Sequence, residues 1–423
     1  MSGLHRVVIV GGGFGGLYAA KSLGKAPVAV TLIDRRNFHL FQPLLYQVAT
    51  GALSPGEIAS PLRAVLRAHK NTQVLLGEVV DLDVGARRVI LRDGEVGYDD
   101  LIVATGATHH YFGHDEWAEI APGLKTVEDA TEIRSRLLAA FERAEREPDL
   151  ERRRGWLTFV IVGGGPTGVE LAGALGEIAN DTLRRDFRRI NPAEAQILLV
   201  EGEDRVLPLF PPDLSAKAEK QLIGLNVRSL TSAKVTNIDP EGVTVLAGGR
   251  EQRIATHTVL WAAGVRASRL GKVLAERAGA PLDRAGRVLV EPDLSLPAHP
   301  EIHVIGDLAN YSHQGGRPLP GVAPAAMAQG RYTAHLIIGK LRGRPVAPFH
   351  YFDKGNLATV GRNKAVAQFG SVHIAGFAAW LLWVFVHLMY LVEFENRLLV
   401  FVEWVYNYLT RNRGARLITG PGR

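Results

Sequence analysis

Two glycine-rich segments in the sequence have a spacing that lets the backbone bind a pyrophosphate. The first, at residues 11–16, reads G-G-G-F-G-G and follows an unbroken β-branched run at residues 7–10. Such a run is typical of a buried parallel strand. In the G-x-G-x-x-G pattern Gly11 forms the tight turn, Gly13 lets the pyrophosphate approach, and Gly16 allows close helix–strand packing. The phosphates then meet the free amides of the helix that follows.

The second segment repeats this pattern as G-G-G-P-T-G at residues 163–168. After each segment comes another apolar run that ends in an acid, Asp34 in the first case and Glu201 in the second. A carboxylate at this place accepts hydrogen bonds from a ribose diol and repels a 2′-phosphate. The sequence therefore predicts two dinucleotides, with electron transfer between them. At the second site NADH is favoured over NADPH, although Arg205 lies close by.

The sequence contains no cysteine. A disulfide scaffold, a thiolate metal site and a thiol redox relay are therefore excluded on chemical grounds. Disulfide reductases, thiol-based peroxidases and sulfide oxidisers need such thiols, so these function classes are excluded as well. Electrons that enter this chain must pass directly to an external acceptor.

Length and composition indicate a folded protein with more than one domain. The 423 residues exceed the size of a typical single core, and 47% of them are hydrophobic and 22% charged. The formal charge of +6 suits nucleic acid, anionic lipid or a phosphate-bearing ligand without distinguishing them. No segment matches a nucleic-acid-binding motif, so we expect no nucleic-acid partner. The start of the chain has no signal-peptide pattern, which predicts a cytoplasmic location or a mature form.

The C-terminal third is rich in apolar residues, and residues 374–392 are almost wholly apolar. This run is compatible with a transmembrane helix, a core helix or a helix lying in the membrane interface. The tryptophans and tyrosine within it favour the interfacial alternative, because their rings prefer headgroup depth.

The next segment, residues 397–410, has the pattern of an amphipathic helix. Its predicted apolar face carries Leu398, Val402, Val405 and Leu409, and its polar stripe carries Glu403, Asn407 and Thr410. Arg411, Arg413 and Arg416 follow, as expected for a helix lying on anionic lipid. A dimerisation helix is the alternative, and the two roles are compatible.

A late segment, I-H-V-I-G-D at residues 302–307, is a short apolar strand that ends in an acid. Together with both glycine-rich segments, it resembles the two-dinucleotide-binding-domain flavoprotein superfamily, where such an aspartate contacts the ribityl chain of FAD. L-I-V-A-T-G at residues 101–106 is similar to the superfamily's exit from the FAD domain. W-A-A-G-V at residues 261–265 is similar to the exit from the inserted NAD domain. The resemblance implies FAD at the first site and NADH at the second.

Further segments narrow this resemblance to one family. They are H-L-F-Q-P-L-L-Y at residues 39–46, G-V-E-L at residues 168–171, L-A-T-V-G-R-N-K-A at residues 357–365, and the apolar tail. The whole chain thereby resembles the type II NADH:quinone oxidoreductases, the non-pumping alternative NADH dehydrogenases. The resemblance implies FAD and NADH as cofactors and ubiquinone or menaquinone as the acceptor. It also implies peripheral, monotopic attachment to the cytoplasmic face of the cell membrane, and a homodimer.

The resemblance also assigns individual residues to the three sites and implies no metal. The implied FAD contacts are Gly11, Gly13, Phe14, Gly15, Gly16, Asp34, Arg35, Thr105, Gly106, Gly306, Asp307 and Ala326. The implied NADH contacts are Gly163, Gly165, Pro166, Thr167, Gly168, Glu201, Ala263 and Gly264. The implied quinone contacts are Gln42, Tyr46, Gln47, Ala323, Met327 and Lys364.

Two further residues are catalytic candidates. The resemblance places Glu170 near nicotinamide and flavin, where it orients the ring or relays a proton; alternatively, it is a first-turn carboxylate stabilised by the helix dipole. The family's quinone motif has two glutamines where this sequence has Pro324 and Ala328. Only the adjoining Gln329 is retained, either as a quinone contact or as a helix-cap group near the flavin.

The expected fold is α/β, with two Rossmann-like dinucleotide-binding domains, the NAD domain inserted in the FAD domain, and C-terminal amphipathic membrane-binding helices. The predicted FAD-binding domain comprises residues 1–121 and 276–345, the NADH-binding domain residues 122–275, and the membrane-associating region residues 346–423. Two other functions share the nucleotide motifs. One is a soluble reductase of a ferredoxin- or rubredoxin-like carrier, which leaves the apolar tail unexplained. The other is a flavoprotein whose NADH-dependent conformation signals to a partner.

Overall fold

The computed structural model describes residues 3–419, so the ends of the predicted domains at residues 1–2 and 420–423 lie outside the described residues. The chain forms two compact units. Unit 1 comprises Met1–Leu40, Ala59–Thr108 and Val265–Lys354; unit 2 comprises Phe41–Ile58, His109–Gly264 and Gly355–Arg423. The predicted boundaries at residues 121/122, 275/276 and 345/346 differ from those of the units, which change at 108/109, 264/265 and 354/355. Unit 2 also includes residues 41–58 and the C-terminal region.

Helices occur in both units and are numbered here in chain order. They are α1 Phe14–Leu23, α2 Leu45–Ala49, α3 Pro55–Ile58, α4 Leu62–Val65, α5 Val127–Arg146, α6 Leu150–Trp156, α7 Pro166–Glu177, α8 Pro212–Ile223, α9 Arg269–Ala278, α10 Ala323–Leu341, α11 Phe377–Tyr390 and α12 Phe394–Thr410. Short 3-10 turns are Gln42–Leu44, Asp115–Glu119, Pro192–Glu194 and Gly306–Leu308, and Ile178–Thr182 is a π-helical turn.

A six-stranded sheet, parallel except at one edge, forms the core of unit 1. From that edge its order is Ser295–Leu296, His299–Val304, Asp100–Val103, His5–Val10, Val28–Asp34 and Thr72–Leu76. Residues 7–10 pair on both sides, with residues 30–33 and residues 100–103, and are at most 4% exposed. This double burial explains the unbroken β-branched run. The carboxyl ends of these parallel strands share one edge, where the first glycine-rich turn begins.

The remaining strands of unit 1 form small sheets around this core. They are the antiparallel pair Phe38–Leu40 and Ala59–Pro61, the meander Val79–Asp83, Arg88–Leu91 and Gly94–Gly97, and the parallel pair Val288–Leu289 and Ala309–Asn310. Ala107–His109 and Val265–Ala267 are short strands at the points where the chain passes between units.

Unit 2 has its own parallel sheet and two antiparallel ones. The parallel sheet has the order Val227–Leu230, Gln196–Val200, Thr158–Val162 and Thr258–Trp261. The antiparallel sheets are Ala233–Asp239, Gly242–Ala247 and Arg250–Ala255, and Asn356–Gly361, Lys364–Phe369 and Val372–Ala375. With a parallel nucleotide-type sheet in each unit, the predicted α/β fold class with two Rossmann-like sheets is confirmed.

The apolar run at residues 374–392 is not one helix. Its first residues end the strand Val372–Ala375, Gly376 has a φ of +79°, and helix α11 begins only at Phe377. In α11, Ala379 and Trp383 are buried. The described part of the chain, residues 3–419, contains no helix with both the length and the apolarity needed to span a bilayer.

Helix α12 presents its apolar face outward, the reverse of an ordinary surface helix. Leu398, Val402 and Leu409 are exposed, whereas Asn407 is half-buried and donates from Nδ2 to the Ala52 carbonyl at 3.1 Å. The predicted division into apolar and polar faces is therefore confirmed for these residues. Within the polar stripe Glu403 is also half-buried, whereas Thr410 is exposed, and the apolar Val400 is buried as well.

Candidate functional site

The first glycine-rich turn has the backbone shape that a dinucleotide requires. Gly11 has a φ of +107°, and a Cβ there would lie 2.4 Å from the Ala104 carbonyl oxygen. A Cβ on Gly16 would lie 1.8 Å from the Gly11 carbonyl oxygen, so helix α1 can start this close only with glycine. Around Gly13, by contrast, a Cβ would meet nothing within 4 Å, which leaves space in front of the turn.

A carboxylate braces this turn from the end of the neighbouring strand. One oxygen of Asp34 accepts the Gly12 N–H at 2.5 Å and the other accepts the Arg36 N–H at 2.7 Å. Burial raises the pKa of the Asp34 carboxyl above its ordinary value, and these two hydrogen bonds oppose that rise. The neighbouring Arg35 is exposed. The acid predicted to bind a ribose is thus held in place by backbone amides.

Unit 2 repeats the same arrangement at the second turn. Gly163 also has a φ of +107°, and a Cβ on Gly168 would lie 1.8 Å from the Gly163 carbonyl oxygen. Glu201 accepts the Gly164 N–H at 2.5 Å and the Glu203 N–H at 2.9 Å. Pro166 and Thr167 then open helix α7. The two predicted dinucleotide sites therefore have matching geometry.

Arg205 is engaged by its own loop. Its Nη1 donates to Asp204 at 3.1 Å and its Nη2 donates to the Pro208 carbonyl at 3.1 Å. Two of its nitrogens are thus paired within the loop, and the preference for NADH at this site stays a prediction.

The first glycine-rich turn and two further loops lie at the same edge of the sheet in unit 1. Thr105 and Gly106 follow the strand Asp100–Val103, and Gly306 and Asp307 follow His299–Val304, its parallel neighbour. The Thr105 and Ser268 hydroxyl oxygens lie 2.5 Å apart. Ala326 lies on α10 close to Gly306, since a Cβ built on that glycine would be 3.6 Å from the Ala326 Cβ. Gly15, on α1, approaches α10 similarly, because a Cβ there would lie 3.5 Å from the Ala326 carbonyl oxygen.

Gln329 is hydrogen-bonded to this loop. It is 3% exposed, and its Oε1 accepts the Gly306 N–H at 2.6 Å. Met327 on the same helix is also buried, and Ala323 is half-buried. Of the two interpretations of Gln329, its contact supports the structural one near the predicted flavin loop.

The residues that end the inserted segment lie in unit 2. Ala263 and Gly264 follow the strand Thr258–Trp261, and Gly264 has a φ of +70°. A Cβ on Gly264 would lie 2.7 Å from the Phe112 ring. The chain direction at this exit thus depends on glycine.

A cavity of about 120 Å³ opens within unit 2. Its walls combine aromatic rings with charged and amide groups. The lining residues include Tyr46, Gln47, Thr50, Glu170, Glu177, Thr359, Arg362, Trp380, Trp383, Trp404, Asn407, Tyr408, Arg411 and Arg413. Aromatic surface combined with hydrogen-bonding groups can hold and orient a small planar molecule.

Glu170 is an acid of this cavity whose carboxyl pKa is strongly shifted. Burial raises the pKa of its carboxyl to about 8, against a hydrogen bond from the Thr359 backbone that lowers it. Helix α7 begins at Pro166, so Glu170 lies in its second turn. The first-turn interpretation is therefore wrong, since the dipole acts mainly within the first turn and would lower the pKa.

The predicted quinone contacts are divided by the structure. Tyr46 and Gln47 line the cavity, and Lys364 lines a neighbouring hollow. Gln42 is exposed and donates from Nε2 to the Lys125 carbonyl at 3.1 Å. Ala323 and Met327 belong to unit 1.

The arginines after α12 are paired with unit 2. Arg413 Nη2 donates to Glu177 at 2.8 Å, Arg411 Nη1 donates to Asp181 at 3.2 Å, and Arg416 pairs with Asp186. The expectation that all three contact lipid is wrong for Arg413, which is buried, and Arg416 is half-buried in its own pair.

Comparison with known proteins gives the family. Residues 5–330 match the family described as pyridine nucleotide-disulphide oxidoreductase, and residues 354–412 match the NDH2 C-terminal domain. The type II NADH:quinone oxidoreductase Ndh of Mycobacterium tuberculosis is 48% identical, over 98% of this chain and 90% of that protein. The chain belongs to the type II NADH:quinone oxidoreductases. A second such protein of the same organism, NdhA, is 47% identical over 99% of this chain and 90% of its own length.

Solved structures agree with the fold. NDH2 from Plasmodium falciparum, in complex with NADH, matches with a TM-score of 0.88 at 20% identity. The match covers 98% of this chain and 100% of the Plasmodium chain. As a type II NADH:quinone oxidoreductase, the chain is an enzyme that binds NADH and a flavin and passes electrons to a quinone. The matched family is named for disulphide reduction, but this member has no cysteine for such a step.

Sequence reasoning missed several cavity residues of this type II NADH:quinone oxidoreductase. Glu177, which ends the helix that follows the second fingerprint, lines the cavity. Trp383, Trp404 and Arg413 also line it, and these three lie far from both fingerprints in the chain. The sequence predicts an interfacial position for Trp383 and a lipid contact for Arg413, and it assigns no role to Trp404. In the sequence, only the polar stripe of α12 indicates that this helix makes polar contacts with the rest of the protein.

Proposed function

We propose that the chain passes electrons from NADH through FAD to a membrane quinone without pumping ions. The observation that carries this proposal is the matched pair of glycine turns, each braced by a carboxylate that two backbone amides hold. The thiol-free sequence and the aromatic cavity in unit 2 support an external, diffusible acceptor.

Unit 1 fits FAD. The space in front of Gly13 admits a pyrophosphate, and the Asp34 carboxylate keeps lone pairs for a ribose after accepting two amides. Asp307, in the loop that Gln329 braces, has the position to accept from a ribityl hydroxyl. A bound flavin supplies the two-electron chemistry, accepting from NADH and donating to the quinone.

Unit 2 fits NADH in the same way. The amides that open α7 face the pyrophosphate, and Glu201 accepts from the adenosine ribose. Its negative charge disfavours a 2′-phosphate, so NADH is the preferred donor. These residues bind and orient; the carboxylates take no part in electron transfer.

The cavity in unit 2 is the proposed quinone site. Tyr46 and Gln47 provide polar groups on one wall, and Trp383 and Trp404 provide apolar surface for a ring. With a pKa near 8, Glu170 holds a proton at neutral pH and can deliver it into the cavity when quinone is reduced.

The outward apolar faces of α11 and α12 support peripheral attachment to a membrane. Leu381, Phe385 and Met389 form an exposed stripe along α11, at helical spacing, and Leu398 and Leu409 are exposed on α12. A quinone tail is lipid-soluble, so attachment of the enzyme to a membrane shortens the path of the quinone to the cavity. We place the enzyme on the cytoplasmic face as a homodimer, on the strength of the family resemblance.

The test is quinone-dependent NADH oxidation by the purified chain in detergent, with ubiquinone and menaquinone analogues. The cofactor released by heat is identified by chromatography as FAD or FMN. Rapid turnover that requires quinone, together with released FAD, supports the proposal. A colourless sample that gains no activity when FAD is restored contradicts it.

A further inference from the structure

The Gln47 amide lies between two aromatic side chains that line the cavity. Trp404 Nε1 donates to Gln47 Oε1 at 2.7 Å, and Gln47 Nε2 donates to the Tyr46 hydroxyl oxygen at 2.9 Å. Tyr46 is 7% exposed and Gln47 is 8% exposed, so water competes little for these bonds. The three residues therefore form a hydrogen-bonded chain from α12 through α2 into the cavity wall.

This series of hydrogen bonds can have only one direction. An indole N–H donates and cannot accept, so the carbonyl end of the Gln47 amide must face Trp404. The amide nitrogen then faces Tyr46, and because it cannot accept, the tyrosine oxygen must. The hydroxyl proton of Tyr46 is thereby turned away from Gln47. Within residues 3–419, no hydrogen bond uses this hydroxyl as a donor.

We propose that Tyr46 donates a hydrogen bond to a carbonyl oxygen of the quinone, and that Trp404 is a positioning residue that aims this donor through Gln47. This inference rests on the function proposed above. A quinone carbonyl oxygen can only accept a hydrogen bond. The Tyr46 oxygen already accepts from Gln47, so its O–H hydrogen remains to be donated to that carbonyl. The reverse arrangement, with Tyr46 donating to Gln47, would leave no donor for the ligand.

The surroundings keep Tyr46 a donor. Burial raises the pKa of its hydroxyl well above the ordinary value, and the nearby Glu170 carboxyl raises it further. Since the pKa of Glu170 is about 8, this carboxyl is mostly protonated at neutral pH. A protonated carboxyl is a weaker acceptor for the Tyr46 hydroxyl than a carboxylate would be. Both groups therefore face the cavity in neutral, donating forms.

Packing holds Trp404 in the orientation that this chain requires. Its ring lies 5.4 Å from that of Trp383, and one turn later Asn407 binds the Ala52 carbonyl. Helix α12 is thus attached at two points to the segment that carries Tyr46 and Gln47. Trp404→Phe removes the N–H and retains most of the ring.

The experiment measures kcat and KM for a short-chain quinone with the full-length enzyme in detergent. Tyr46→Phe and Trp404→Phe should each lower kcat/KM for quinone about three- to tenfold, the range for losing one neutral hydrogen bond. The rate of flavin reduction by NADH, measured by stopped flow without quinone, should stay unchanged in both. In the Tyr46→Phe background, Trp404→Phe should add nothing further, because its effect passes through the hydroxyl.

Gln47→Leu tests the same hydrogen bonds without touching Trp404. Leucine neither accepts from Trp404 nor donates to Tyr46, so it removes the group that orients the Tyr46 proton and should reproduce the loss seen with Trp404→Phe. The matched control is Trp156→Phe, on α6, where the ring stacks on His257 away from the lining. It should leave quinone kinetics unchanged.

Each outcome decides the matter. If the unmodified chain fails to reduce quinone, the proposed function falls and this inference falls with it. If it does reduce quinone, additive losses in the double variant, or normal quinone kinetics in Tyr46→Phe, overturn the inference alone. If flavin reduction by NADH falls as much as quinone reduction in both single variants, these residues act on the fold and not on the quinone, and the inference is overturned.

Discussion

Arg413 and Glu177 form an ion pair at 2.8 Å, with side chains only 9% and 15% exposed. The same guanidinium donates to the Thr50 carbonyl at 3.1 Å, and the Arg362 backbone N–H also donates to Glu177. The segment after α12 is therefore tied to the end of α7 and to the turn after α2. These contacts close one side of the cavity.

Removing the arginine should be costly, because it leaves a buried carboxylate without its partner charge. We expect Arg413→Met to destabilise the protein by roughly 3 kcal/mol. Arg416→Met is the matched control, since Arg416 pairs with the more exposed Asp186, and the expected cost is below about 1 kcal/mol. Unfolding by denaturant, followed by fluorescence, measures both. Equal small effects would show that the Arg413 pair contributes nothing.

Substitutions in the two glycine turns should impair the binding of two different nucleotides. Gly16→Ala places a methyl group 1.8 Å from the Gly11 carbonyl oxygen, and Gly168→Ala does the same at Gly163. We expect Gly16→Ala to lose its flavin, seen as absorbance of the purified protein. Gly168→Ala should retain flavin and raise the KM for NADH at least about tenfold, since one displaced pyrophosphate contact costs on the order of 1.4 kcal/mol.

A glycine with open space provides the control for both variants. A Cβ on Gly94, an exposed residue of the strand Gly94–Gly97, would meet nothing within 4 Å, so Gly94→Ala should alter neither flavin content nor the KM for NADH. If Gly168→Ala lost flavin and Gly16→Ala kept it, the assignment of the two nucleotides to the two turns would be reversed.

These turns are also the part of the molecule that the sequence predicted well. A short motif such as residues 11–16 fixes its own geometry, and even the acids Asp34 and Glu201 lie within a few dozen residues of their turns. The cavity could not be predicted so well, because Trp404 and Gln47 meet only after the chain has folded. Gly376 likewise breaks an apolar run that composition alone suggests is one helix.

Glu170 should make stability depend on pH. Its pKa rises from 4.5 to about 8 on folding, so between these values the folded chain binds more protons than the unfolded one. Stability should therefore fall as pH rises from about 4.5 to about 8. Glu170→Gln removes the titrating group, and its melting temperature should fall less across this range. Glu151→Gln, at an exposed site on α6, should show the same slope as the unmodified protein.

Membrane attachment should depend on the outward face of α12. Deleting residues 374–423 would release the protein, but it would also remove Trp383, Trp404 and Arg413 from the cavity, so binding and activity would be lost together. Point substitutions separate the two effects. Leu398 and Leu409 are 54% and 75% exposed, and changing both to Asn leaves the inward contacts of the helix in place.

We expect Leu398→Asn with Leu409→Asn to weaken binding to lipid vesicles about tenfold or more, because each buried leucine contributes about 1.5 kcal/mol or more. Reduction of a short-chain quinone in detergent should remain near that of the unmodified enzyme. Leu209→Asn, at a residue 85% exposed and outside both C-terminal helices, is the matched control for loss of one surface leucine. Sedimentation with vesicles measures all three proteins. Unchanged sedimentation of the α12 variant would place the attachment surface elsewhere.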